Sequence, residues 1–188
     1  MDELGLVQWR AYFAQVLGTI DLLAGDPRAA EEHLRWGYER LEATGERASR
    51  WTHATMLGEA LLAQHRDTEA EHYCRLTMTN AGPDDLLCQI DWRLLEARLL
   101  LRRDEVAAAE RLAREAVAIA APAESPRARG DAQRALAEVL AAAGRPLEAA
   151  RAFEEALARY EAKGILPLAD AVRRELATLG SARPTPPG

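Results

Sequence analysis

Aromatic residues make up only 5% of this 188-residue chain, so its apolar interior must be built from Leu, Ala and Val, which reach a 48% hydrophobic share together with the minor apolar types. Cysteine is nearly absent. Cys74 and Cys88 are too few for a disulfide framework and fit no CxxC metal pattern. Lysine is absent except at Lys163, a bias that points to a GC-rich bacterial coding sequence and not to chemistry. There is no excess of positive charge either: 24 basic residues face 30 acidic ones, a net charge of -6, spread along the whole chain with no basic stripe to neutralise phosphates. Nucleic acid is thereby disfavoured as a partner of this region. No apolar run approaches the roughly 18 residues that a membrane span needs. The start, MDELGLVQWR, is acidic where a secretory signal would be basic. A soluble, cytoplasmic chain is the expectation. No GxxxxGK[ST] loop, GxGxxG turn or GxSxG elbow occurs, which leaves nucleotide cradles and serine-hydrolase chemistry without a sequence basis.

What the chain does have is an internal repeat. LGTIDLLAGDPRAA, LGEALLAQHRDTEA, EARLLLRRDEVAAA and LAEVLAAAGRPLEA begin at Leu17, Leu57, Glu96 and Leu136, in steps of 40, 39 and 40 residues. A period of this length in Ala- and Leu-rich sequence without strand signals means stacked helical hairpins, each too small to bury its apolar face alone. The periodicity predicts helices over about 4–24, 27–43, 47–64, 68–79, 84–102, 105–120, 126–143, 146–162 and 167–179. Turns within hairpins fall at Gly25-Asp26-Pro27, His65-Arg66-Asp67, Arg103-Asp104-Glu105 and Gly144-Arg145-Pro146. Asp26-Pro27 and Ser125-Pro126 read as a capping side chain followed by proline in the first turn. The last residues, 181–188, hold three prolines and are expected to be disordered.

Each repeat carries two small residues twelve positions apart: Gly18 and Ala30, Gly58 and Ala70, Ala97 and Ala109, Ala137 and Ala149. Such pairs belong where two helices of a hairpin cross closely. Four positions further on stand Leu34, Cys74, Ala113 and Phe153, and then Gly37, Thr77, Ala116 and Ala156. These phases resemble the tetratricopeptide repeat (TPR), with first positions at Ala11, Trp51, Ile90 and Gly130. The resemblance departs from its consensus: the usual Trp, Tyr and late Pro are missing, a turn Gly survives only as Gly25 and Gly144, and the period exceeds the usual value of about 34. HEAT repeats also have a period near 40, so the residues leave a second helical-repeat type open. GDPRAAEEHLRWGYERLEATGER, AERLAREAVAIA and GRPLEAARAFEEALARYEAKG further resemble the C-terminal repeat region of large bacterial signalling regulators, of the adenylate or guanylate cyclase type or the LuxR-type ATPase kind. In those proteins the catalytic motifs lie in other domains.

The expected fold is an all-α, right-handed α-solenoid of four TPR-like hairpins, over about 11–44, 51–84, 90–123 and 130–163, closed by a capping helix at 167–179. The resemblance implies a non-catalytic module for protein–protein interaction or regulation, without cofactor or metal. Its partner would be a protein or peptide. The alternative is a domain that senses a small molecule or acts as an enzyme on a ligand in the concave groove. By the same transfer the groove is lined by Tyr12, Gln15, Thr19, Thr52, Thr55, Glu59, Asp91, Arg98, Arg102, Asp131, Arg134 and Glu138, with Arg98, Arg102 and Arg134 favouring an acidic or mixed-charge peptide.

Other constellations are weak. His65, His72 and Cys74 cluster near one turn, and Glu69 and His72 have the Glu-x-x-His spacing of helical di-iron sites without the second copy these need. Glu31-Glu32 and Glu154-Glu155 read as solvated helix faces, and Glu110, Arg111, Arg114 and Glu115 as surface charge pairs. The few aromatics crowd into the first 51 residues: Trp9, Tyr12, Phe13, Trp36, Tyr38 and Trp51. Either they pack inside the first hairpin, or Trp9 and Phe13, four apart on one face, form an edge for self-association into a homodimer.

Overall fold

Helix-favouring sequence punctuated at regular intervals gives helices of regular length. The computed structural model describes residues 3–47 and 49–181. Among these the regular elements are α1 (Glu3–Ala24), α2 (Pro27–Ala43), α3 (Arg50–Ala63), α4 (Asp67–Asn80), α5 (Leu86–Arg102), α6 (Val106–Ala120), α7 (Pro126–Ala142), α8 (Pro146–Lys163) and α9 (Leu166–Ser181), with no strand. The expected helix over 47–64 starts later, at Arg50, because the Glu46 carboxylate accepts from the Ser49 backbone N–H (3.0 Å) and holds the approach as a turn. Ser181 belongs to α9, so the expected disordered tail is shortened, and its residues 182–188 lie outside the described part of the chain.

The hairpin turns share one backbone device. Gly25, His65, Asp104 and Gly144 all adopt left-handed φ values, 79°, 61°, 62° and 70°, and stand 40, 39 and 40 residues apart. After each, a backbone N–H reaches back five residues to a helix carbonyl: Asp26 to Asp21 (2.9 Å), Arg66 to Leu61 (3.0 Å), Glu105 to Leu100 (2.9 Å) and Arg145 to Leu140 (3.0 Å). This closes the helix end and reverses the chain. Gly fits the left-handed state without strain, whereas His65 and Asp104 carry the Cβ penalty. Asp104→Gly is therefore expected to stabilise the protein by about 0.5–1 kcal/mol, relief of strain exceeding the added freedom of the unfolded chain. Thermal melts check this, and a lowered Tm would count against the turn geometry. The two expected caps are in place: the Asp26 carboxylate accepts from Ala29 N–H (3.1 Å), and the Ser125 hydroxyl from Ala128 N–H (3.2 Å).

The described residues form two compact units, one up to Leu99 and one from Leu100 onward. In the first, α1 packs on α2, α3 on α4, and α2 against α3. Glycines set the closest approaches. A Cβ on Gly18 would stand 2.5 Å from the buried Leu34 side chain, one on Gly37 2.5 Å from His53, and one on Gly58 2.4 Å from Leu95. Tyr38, Trp51, Ala54 and Cys88 form a buried cluster with Tyr73, Leu76 and Ala81 packed around it. In the second unit α7 packs on both α6 and α8, and α9 on α8. Its core is dominated by alanine, with Leu112, Leu136, Val139, Leu140, Phe153 and Tyr160 among the larger members. The capping helix buries Ala169 and Val172. Glu175 of the same helix is partly buried and accepts from Arg134 Nη2 at 2.6 Å.

Candidate interaction surface

α1 has two unlike faces. Ala11, Ala14 and Gly18 are buried toward α2, where small side chains permit close packing. Leu6, Trp9, Phe13, Val16, Leu17, Ile20 and Leu23 are exposed, Trp9 by 57% and Phe13 by 58%. Their three- and four-residue spacing makes one continuous apolar stripe along the helix. Tyr12 touches the rings of Trp9 and Phe13 (centroids 6.2 and 6.0 Å apart), and those two lie 6.4 Å apart. The early aromatics thus divide. Tyr38 and Trp51 are core, Trp36 lies beneath the guanidinium groups of Arg10 and Arg40, and the three on α1 face outward. Beside the stripe is a cleft of about 250 Å³ lined by Arg10, Phe13, Ala14, Leu17, His33 and Trp36. His33 is held at its side by Asp21, 2.8 Å away.

The positions expected to line a groove fare unevenly. Thr55 is corrected outright: it is buried, its hydroxyl donating to the Trp51 carbonyl at 2.7 Å. Thr19 donates to the Gln15 carbonyl (2.9 Å), and Thr52 lies against Cys88 Sγ at 3.8 Å. Glu59 and Arg98 pair at 2.7 Å. Asp131 accepts from the hydroxyl of the buried Tyr160 at 2.6 Å, and a Cβ on neighbouring Gly130 would stand 2.6 Å from the same ring. Arg134 sits between Glu138 (3.3 Å) and Glu175 (2.6 Å). Asp91 is half-buried and Arg102 exposed, as is Tyr12. Because Arg98 and Arg134 already face carboxylates of their own unit, the expected pull on an acidic peptide is largely spent internally.

Electrostatics also corrects the reading of Glu31 as a solvated residue. Its carboxylate is mostly buried and accepts from Arg35 (2.8 Å), Gln64 (2.8 Å) and Arg66 (2.6 Å), tying α2 to α3 and to the turn before α4. Burial pushes its pKa up, but the three donors and the Arg66 charge outweigh that and hold it down at about 2. Arg66 also grips Glu69 at 2.6 Å. The second unit repeats the arrangement: Arg145 bridges Glu110 (2.7 Å) and Glu148 (2.6 Å), and Glu110 also pairs with Arg114 (2.7 Å). The Glu110 reading as a mere surface pair thus misses its contact with the turn before α8.

Reactive chemistry is muted in the described residues. Burial pushes the Cys74 thiol far up and Cys88 up to about 12, so neither offers a thiolate near neutral pH. Cys74 Sγ points to the Trp92 carbonyl (3.3 Å), and among the described residues no group of three His, Cys, Asp or Glu is placed to hold a metal ion. No helix among them is long and apolar enough to cross a membrane.

Among the described residues, nine consecutive helices joined by repeated left-handed turns define an all-α helical-repeat protein of the solenoid class, built from TPR-like hairpins. Solved structures agree on the fold. A kinesin-light-chain-like protein of Podosopora anserina with nearly identical TPR-like repeats is 20% identical, with a TM-score of 0.53 over 98% of this chain and 100% of that one. A variant of that protein gives 0.54 at 20% identity, over 95% and 96%. No protein-family model and no curated protein matches the sequence.

Proposed function

We propose that this chain is a non-catalytic protein–protein interaction module, working in the cytoplasm as the repeat region of a bacterial signalling or transcription-regulatory protein. The observation that carries the interaction reading is the exposed apolar stripe on α1, since contiguous exposed patches of several hundred Å² mark interaction sites. The regulatory setting rests on the resemblance of GDPRAAEEHLRWGYERLEATGER and GRPLEAARAFEEALARYEAKG to such repeat regions. The partner is a protein or peptide. Nucleic acid is disfavoured by the net charge of -6, and of the groove positions Tyr12 in the first unit and Arg102 in the second stay exposed. A metabolite sensor has less support, because the cleft of about 250 Å³ beside α1 falls below the roughly 300–1,000 Å³ of typical small-molecule sites.

A photo-cross-linking amino acid placed at Phe13 and, separately, at Arg102 in cells tests the reading. Protein adducts from Phe13, with fewer from Arg102, are expected. Adducts from neither position, together with a rise in Tm on adding a small metabolite, would overturn it.

A further inference from the structure

We propose that His53 is a pH-operated clasp: its imidazole, when doubly protonated, ties α1 to the start of α3, and loss of one proton releases the α3 end. The ring is fully buried. Its Nδ1 lies 2.9 Å from the Ser49 carbonyl and its Nε2 3.0 Å from the Ala11 carbonyl of α1. Both partners are oxygens that only accept. A neutral imidazole carries a single N–H, so it donates to one carbonyl and turns a lone pair on the other. Only the imidazolium donates to both.

The site is shaped for a ring. A Cβ on Gly37 of α2 would stand 2.5 Å from His53 Cδ2 and 2.7 Å from its Nε2, so the missing side chain is what lets the imidazole reach α1. One hairpin on, 40 residues after Gly37 and Ala11, stand Thr77 and Trp51, and there the Thr77 hydroxyl donates to the Trp51 carbonyl at 3.3 Å. The same backbone position thus meets a donor that never titrates in the second hairpin and one that does in the first.

Burial works against the imidazolium, and the groups on the surrounding elements decide how strongly it is opposed. On α1 the Arg10 guanidinium lies over Trp36 (5.4 Å), and on α2 Tyr38 donates to Glu42 at 3.3 Å. On α3 Arg50 lies over Trp51 (4.3 Å) and 3.8 Å from Glu42. Glu46, in the link, accepts from the Ser49 N–H at 3.0 Å, which sets a negative charge on the far side of the residue that faces Nδ1. Among the described residues the ring bonds to no charged side chain, so the second proton is favoured by the two carbonyls through charge-assisted bonds. When that proton leaves, the Nε2 bond stays, because its surroundings are fully buried and no water replaces it. The Ser49 contact is only part-buried, and that carbonyl keeps the His53 backbone N–H at 3.2 Å. The folded chain therefore binds a proton more readily than the unfolded one, and the first unit becomes firmer as pH falls through the histidine range.

Trp9, Trp36, Trp51 and Trp92 all belong to the first unit, so tryptophan fluorescence during urea unfolding reads it. Wild type and His53→Gln are compared at pH values from about 8 down to about 5.5. The ratio of their unfolding constants is expected to change by about fivefold or more, wild type gaining in acid, one proton allowing at most about tenfold per pH unit. His33, His65 and His72 are common to both proteins and cancel in the ratio. A flat ratio, or one that moves the other way, overturns the proposal. Should His53→Gln fail to fold, nitrogen NMR of the wild-type ring gives the answer: both ring nitrogens protonated at the acid end, Nε2 alone at the alkaline end. A single protonation state throughout, or a neutral ring with its proton on Nδ1, overturns the proposal as well.

Discussion

Leu34→Ala is expected to destabilise the protein by about 2–5 kcal/mol, the range for emptying a fully buried leucine site. Leu34 projects from α2 onto Gly18 of α1, where a side chain is missing, with its Cγ 2.5 Å from where a Gly18 Cβ would stand. Gly18→Ala alone therefore forces Leu34 aside and is expected to cost about 1–3 kcal/mol. The two changes should not add: in Gly18→Ala with Leu34→Ala the new methyl enters the vacated space, and the double variant should be more stable than the sum of single losses predicts by about 1 kcal/mol or more. Chemical denaturation of the four proteins checks this. Strict additivity would mean that the α1–α2 crossing is not set by this contact.

Glu31→Gln is expected to cost about 2 kcal/mol at neutral pH, because Arg35 and Arg66 lose the carboxylate between them while Gln64 keeps only a weaker partner. The pH dependence gives a second signature. A carboxyl held at about 2 in the folded protein, against 4.5 when free, stabilises the fold fully above about 4.5. That contribution is lost as pH falls from about 4.5 toward 2, so wild-type stability should drop through this window and the drop should be shallower in Glu31→Gln. Urea midpoints measured at several pH values between neutrality and 3 decide it. Equal slopes in the two proteins would show that Glu31 does not hold the low pKa.

Helix extents and hairpin crossings were legible because they depend on local signals: apolar spacing, Asp-Pro and Ser-Pro starts, and small residues at a fixed interval. Ala30, Ala70, Ala109 and Ala149 are all fully buried. Side-chain roles that depend on a distant element were not. Glu31 looks like any acid on a helix until Arg66, 35 residues on, arrives beside it. Thr55 was misplaced because α3 lies inside its unit and buries side chains around most of its circumference, so a polar residue there is satisfied by its own helix. His53 drew no notice in the sequence, yet it is fully buried with Nδ1 2.9 Å from the Ser49 carbonyl and Nε2 3.0 Å from that of Ala11. The turns at His65 and Asp104 lack the expected glycine and still take its conformation, since the helices on either side hold the backbone there.

The shared turn geometry has a consequence for how such a chain tolerates changes of length. Within each hairpin the left-handed residue and its backward hydrogen bond leave only two or three residues between helices, and the paired small side chains keep the twelve-residue interval in all four repeats. Gly45 and Gly164, which follow α2 and α8, carry the same device (φ 70° and 73°, with Glu46 N–H donating to the Leu41 carbonyl and Ile165 N–H to that of Tyr160), whereas the links at 81–85 and 121–125 have no left-handed residue. Insertions, tags or grafted recognition loops should therefore be accepted at 81–85 and 121–125, where that backbone pattern does not have to be kept, and rejected at Gly25, Gly45, His65, Asp104, Gly144 and Gly164. A library that inserts short peptides along the gene would sort itself by this rule, with soluble variants gathering at 81–85 and 121–125.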